Sequence, residues 1–191
     1  ENPMAVYWLN NVPTAKAFEV ADGHPDNENN ILGGIIQNSL FSPRGQKYST
    51  AQLAKVKQYM TNIGVGQYAD GTTWELETRA NIREGNLAAA LPIGEKMANK
   101  FIANGQSLVY ITHVFNDAFP NTDYAEKAKY WLSKALPNLS ENSHLAEYHY
   151  ESAILNGRLG DNKAKVESAN KALNFAKLAK VDLSKFNKLL R

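Results

Sequence analysis

Residues 155–173 read LNGRLGDNKAKVESANKAL, and the reading of this stretch decides the fold. A Leu-Gly-Asp break at 159–161 separates two segments that carry apolar residues at helical spacing. Either it is one loop between two helices, or it is one copy of a unit that recurs. Alignment within the chain favours recurrence. The NKAL at 170–173 falls on SKAL at 133–136 with a shift of 37, and EKMA at 95–98 lies another 38 residues back. The segments preceding them start near residues 72, 106 and 143, again about one period apart. A helix–turn–helix unit recurring at this length is the signature of an α-helical solenoid. A lone helix pair cannot bury its apolar face, whereas stacked pairs can. Leu-Gly-Asp is then the tight turn inside one pair.

The punctuation of the rest is helical too. Pro3 suits the first turn of a helix through Leu9. Thr14 is a candidate cap for a helix to Val20, and Asn27 for one through Leu40 that Gly33-Gly34 weakens. Ser49 and Gln52 form a capping box ahead of Leu53, Val56, Tyr59 and Met60, in a helix that stops at Gly64. Further helices are predicted over 72–84, 86–103, 106–118, 122–137, 143–159 and 161–178, with a short last one near 182–190. Gly85-Asn86, Asn104-Gly105, Pro120-Asn121, Pro137-Asn138 and Gly160-Asp161 separate them. The one β-like run, Leu108-Val109-Tyr110-Ile111, belongs to a helical pattern through Phe115 and Phe119. The expectation is an all-α fold of antiparallel helix pairs stacked as a right-handed superhelix. Residues 1–66 form a helical N-terminal segment, a divergent cap, and residues 72–191 carry the repeats in one continuous domain.

These residues resemble the tetratricopeptide family, which places an aromatic early in helix A, a glycine at the turn and small alanines in helix B. Trp74, Gly85 and Ala90 fall in register in the first copy, Ala128 and Ala135 in the second, and Ala153, Gly160 and Ala172 in the third. The likeness spans about residues 72–178. It departs from the pattern in its longer period, in the glycine-free turn before Tyr124, in Lys165 at an alanine position and in Tyr148 and Tyr150 flanking the aromatic site. A second, shorter resemblance covers NPMAVYWLNNVPTAKAFEVADG at 2–23, which is similar to the helical lead-in that follows the redox domain of some bacterial envelope thioredoxin-like proteins. It implies a helical accessory extension without redox residues of its own, located in the cell envelope or periplasm, with an upstream domain of its own precursor as one partner; the cysteine-free composition fits the cytoplasm as well.

Composition narrows the function. The chain has 191 residues, enough for a real core, with 43% hydrophobic and 21% charged residues, ordinary for a globular protein. No cysteine is present, which excludes disulfides, thiolate metal sites and CxxC redox centres. No apolar run approaches the roughly 20 residues of a membrane span. Charge is uneven. Residues 161–191 carry seven lysines and Arg191 against Asp161, Glu167 and Asp182, whereas residues 1–42 are acidic. The lysines sit among alanines and leucines at helical spacing, the pattern of a solvated helix face rather than of a nucleic-acid site.

Motifs for chemistry are sparse. Asp22, His24, Asp26 and Glu28 alternate, but the stretch lacks the carboxylate count and terminal Glu of an EF-hand and reads as a turn. His144 and His149 stand about 140° apart around a helix and do not face one ligand. His113 reads as a half-buried structural histidine. Ile63-Gly64-Val65-Gly66 has neither the preceding strand nor the third glycine of a dinucleotide loop. Trp8, Trp74 and Trp131 occupy apolar helix positions and read as core. No catalytic residue, metal or cofactor is expected. What remains is a surface. In tetratricopeptide stacks helix A of each pair lines a concave groove, and residue by residue this implies Glu75, Arg79 and Arg83, then Tyr110, His113 and Asp117, then Glu147, Tyr150 and Arg158. Arginine and tyrosine are enriched where proteins meet. The expected partner is a protein or a peptide. On this reading Arg79, Arg83, Tyr150 and Arg158 are largely exposed, and Trp74 and Ala90 are packed.

Overall fold

A computed structural model describes residues 2–24 and 27–190, with the backbone alone for Asn27–Asn30. The protein is all-α: among the described residues every regular element is helical and no strand occurs. No described helix is long and apolar enough to cross a membrane. The chain forms two compact units, Glu1–Asn86 and Leu87–Arg191.

The first unit contains α1 (Pro3–Asn10), α2 (Val12–Ala21), α3 (Asn27–Phe41), α4 (Thr50–Asn62) and α5 (Ala69–Arg83). Asn2 caps α1, its side chain accepting from the Met4 N–H at 3.0 Å. α2 starts two residues before Thr14, because Pro13 occupies its first turn. The Ser49–Gln52 capping box is present in both directions. α5 also begins earlier than expected, fed directly by a 3₁₀ turn at Gly66–Tyr68. Leu9, Leu32, Ile36, Leu40, Leu53, Val56, Met60 and Leu76 build the core of this unit. α4 and α5 are lashed together at both ends. Glu84 accepts from the Thr50 N–H and hydroxyl at 2.9 and 2.7 Å, and Arg83 donates to the Tyr48 carbonyl at 2.8 Å. At the other end Lys57 lies 2.5 Å from Asp70 and 3.0 Å from Glu77. Burial works against the Lys57 ammonium, but these two carboxylates outweigh it and raise its pKa above the ordinary lysine value.

The second unit contains α6 (Leu87–Lys100), α7 (Gly105–Ala118), α8 (Ala125–Ala135), α9 (Asn142–Arg158), α10 (Asn162–Ala179) and the short α11 (Ser184–Lys188). Phe115 anchors an aromatic cluster, with ring centroids 5.6 Å from Phe119, 6.0 Å from Tyr124 and 5.2 Å from Trp131. Trp131 is buried, whereas Trp8 and Trp74 are only partly so. α6 presses onto this cluster at Gly94, where an added Cβ would come within 2.5 Å of the Phe115 ring. α9 and α10 form the closest helix pair. Ala146, Ala153, Ala169, Ala172 and Ala176 are fully buried, and such small side chains let two helix backbones approach.

The Leu-Gly-Asp turn now has a geometry. Gly160 takes φ 77°, the left-handed conformation that costs glycine little. Its N–H donates to the Gly157 carbonyl at 3.1 Å, the Asp161 N–H donates to Asn156 at 3.0 Å, and the Asp161 side chain caps α10 at Ala164. This Schellman closure satisfies the last carbonyls of α9 while the next helix begins at once. The same pair of bonds ends α4 at Gly64 and α5 at Gly85. Lys180 ends α10 in the same way at φ 55°, without the freedom of a glycine.

Candidate functional site

α7 and α9 lie side by side, and α11 follows on the far side of α9. Three of the side-chain contacts that connect them share a sequence separation of 38 residues. Gln106 meets His144 at 2.9 Å, His113 meets Glu151 at 2.8 Å, and Lys185 meets both carboxylate oxygens of Glu147 at 2.6 Å. His144, Glu147 and Glu151 stand at i, i+3 and i+7, so they form one stripe along α9. The stripe turns two members to α7 and one to α11.

Between these helices runs a groove of about 350 Å³ lined by Gln106, Val109, Tyr110, His113, His144, Glu147, Tyr150, Glu151 and Lys185. Tyr110 is 49% exposed and stacks on His113 with centroids 6.1 Å apart. Tyr150 is half-buried rather than largely exposed, because it packs edge-on to the buried Phe186 of α11. Burial raises its phenol pKa above the ordinary value; nearby Glu151 and Glu147 act in the same direction and Lys185 opposes them. The Lys185 ammonium sits 4.9 Å from the Tyr150 ring centroid, a cation–π distance. The groove thus offers two tyrosine rings, two imidazoles and one charge pair on a largely apolar floor.

Beneath the groove lies a buried polar chain. The Glu151 side chain is 2% exposed, against 44% for His113. His113 Nδ1 donates to Glu151 Oε1, and Asn116 Nδ2 donates to Glu151 Oε2 at 2.8 Å and to its backbone carbonyl at 3.0 Å. Asn116 Oδ1 in turn accepts from the Tyr124 hydroxyl at 2.6 Å. A buried carboxylate is tolerated only when hydrogen-bonded in this way. Burial raises the Tyr124 pKa, with the Arg158 guanidinium over its ring pulling the other way.

Of the residues expected to form one face, the structure brings Tyr110, His113, Glu147 and Tyr150 together in this groove. Asp117 lies one turn beyond His113 on α7 and is exposed. Arg158 is exposed but committed: it donates to the carbonyls of Phe119 at 2.6 Å and Asn121 at 3.3 Å, clamping the loop before α8. Glu75, Arg79 and Arg83 belong to α5 of the first unit. Arg79 is half-buried rather than largely exposed, in an i,i+4 pair with Glu75 at 2.9 Å. Arg83 is exposed and bonded to the Tyr48 carbonyl. Ala90 is buried. Sequence reasoning missed Glu151, Asn116 and Tyr124, the supports of the groove. The one available signal was Leu155, an apolar residue one turn beyond Glu151 on the same face of α9. His24 and Asp22 form an exposed contact at 3.3 Å, while Asp26 and the side chain of Glu28 lie outside the described residues. Among the described residues no three potential metal ligands converge.

No protein-family model matches this chain, and no curated protein or solved structure matches it at a significant level.

Proposed function

We propose that this chain is a non-catalytic helical-repeat module that holds a peptide or protein segment in the groove along α7, α9 and α11. The observation that carries the reading is the 38-residue separation shared by three of the contacts across these helices. A shared separation means that equivalent faces of successive helices are presented side by side, which is how stacked helix pairs build a continuous binding surface. Tyrosine supplies large contact area at low entropy cost, and the Glu147–Lys185 pair offers both signs of charge to a segment laid across it.

The test is selection of peptides from a random displayed library against the whole chain, followed by mapping of the winning peptide by NMR. Enriched peptides are expected to shift resonances of Tyr110, His113, Glu147 and Tyr150. Replacing Tyr110 by Ala should weaken them by about tenfold while leaving the fold intact, because its ring is half exposed and truncating an aromatic anchor costs more than 1 kcal/mol. Failure to enrich any peptide, or a footprint confined to other residues, overturns the assignment.

A further inference from the structure

The first unit holds a larger opening than the groove, and nothing in the groove's function uses it. Between α1, α3 and α4 lies a cleft of about 530 Å³. Protein interiors leave few voids larger than a water molecule, and clefts of a few hundred cubic ångströms are the size of small-molecule sites. Its walls come from the core itself: Leu9, Ile36 and Val56 are buried, and Trp8 and Tyr59 pack partly against them.

Several polar groups of the wall are already engaged, which leaves the Asn38 amide and the Tyr59 hydroxyl as further polar groups of the lining. Ser39 Oγ and the Tyr48 hydroxyl bond each other at 2.5 Å. Gln52 is held by the capping box, and Asn2 caps α1. Among the described lining residues the one charged side chain is Lys55, which takes part in no ion pair among them. Its neighbour Lys57, two residues on, is instead neutralised by two carboxylates. An apolar cleft with a single cation at its rim is complementary to a molecule with an apolar body and one anionic head.

We propose that the cleft between α1, α3 and α4 binds a small amphipathic carboxylate, its hydrocarbon part against Trp8, Leu9, Ile36, Val56 and Tyr59 and its head on Lys55. This site is independent of the groove, and either can fail without the other.

The probe is dodecanoate below its micellar concentration, titrated calorimetrically into the full chain, with dodecan-1-ol and dodecyltrimethylammonium in parallel. The indole N–H signals of Trp8 and Trp131 are followed by NMR. Saturable binding of one dodecanoate per chain is expected, with the Trp8 signal shifting and the Trp131 signal still. The alcohol and the ammonium should bind about tenfold more weakly or worse, the factor that one charge-assisted hydrogen bond supplies. Lys55→Glu should cost dodecanoate a similar factor and leave the alcohol unchanged. Ile36→Trp should close the cleft; if that variant does not fold, the Trp8 signal of the parent chain still locates the ligand. Absence of saturable binding, equal binding of the alcohol or the ammonium, or binding that leaves Trp8 unmoved overturns the proposal. So does a dimer that closes the cleft and excludes dodecanoate.

Discussion

Replacing Glu151 by Ala tests whether the buried polar chain holds the second unit together. The carboxylate accepts two hydrogen bonds from side chains on α7, His113 and Asn116. Hydrogen bonds to charged groups contribute about 1.5–3 kcal/mol each, but three corrections apply. Asn116 keeps its bond to the residue-151 backbone carbonyl, so it is only partly orphaned. His113 is exposed enough to turn to water. The buried carboxylate also relinquishes its own desolvation cost. Together these place the loss at about 3 kcal/mol, a large share of a typical 5–15 kcal/mol. Glu151→Gln should cost far less, about 1 kcal/mol, because the amide oxygen still accepts from Asn116 and its NH₂ can donate to a His113 ring whose tautomer has switched. Urea unfolding followed by the fluorescence of the buried Trp131 in a Trp8→Phe, Trp74→Phe background reads this unit. If Glu151→Ala cost less than about 0.5 kcal/mol, or Glu151→Gln as much as Ala, the network would be incidental to stability.

Three further outcomes follow from particular contacts. His149 stacks on Phe175 at 5.5 Å, and burial, helped by the charge of Lys171, depresses its pKa from 6.5 to about 4. The folded chain therefore keeps it neutral while the unfolded chain takes up a proton first, so its contribution is complete above about pH 6.5 and erodes as pH falls toward 4. The loss should be on the order of 2 kcal/mol after discounting for screening, and His149→Phe should flatten the pH dependence of the urea midpoint over that range. Gly94→Ala should destabilise by about 1–2 kcal/mol in the same assay, overpacking against Phe115 outweighing the gain in helix propensity. Lys180→Gly should stabilise by about 0.5–1 kcal/mol by relieving a left-handed conformation, and a lower melting temperature would count against the Schellman reading of that helix end.

The helices were legible because their ends are written locally. Ser49–Gln52, Gly64, Gly85 and Gly160-Asp161 act within five residues, and the structure uses each as a cap or a turn. The starts of α2 and α5 were misplaced by two or three residues because a proline in the first turn and a 3₁₀ lead-in look like loop. The alanines of α9 and α10 were legible as small residues, and their burial follows from the close approach they permit. Glu151 was not legible. On a helical wheel it shares a face with His144 and Glu147 and reads as solvated, and only the facing Asn116 and His113, 35 and 38 residues earlier, explain a buried carboxylate there. Arg79 is half-buried for the same reason, and Arg158, though exposed as expected, is committed to a contact within the protein. Their partners, Glu75 and the Phe119 carbonyl, turn them toward the protein.

The groove is consequently more than a gap left between helices. Glu147 and Glu151 are one turn apart on one face of α9, and they reach to different helices, the first to Lys185 on α11 and the second to His113 on α7. One helix therefore sets the spacing to both neighbours. Tyr150, between them in sequence, is held by the edge-on Phe186 ring and by the Lys185 ammonium, which lies against both rings. Tyr110 is held less tightly, through its stacking on His113, whose orientation depends on the buried Glu151. Ordering a side chain on binding costs about 0.5–1.5 kcal/mol, and a ring already fixed does not incur it again. The buried carboxylate thus acts on the open face through two links, Glu151 to His113 and His113 to Tyr110. Its removal should loosen the Tyr110 side of the groove first, while the Tyr150 side, held by Lys185 and Phe186, keeps its place.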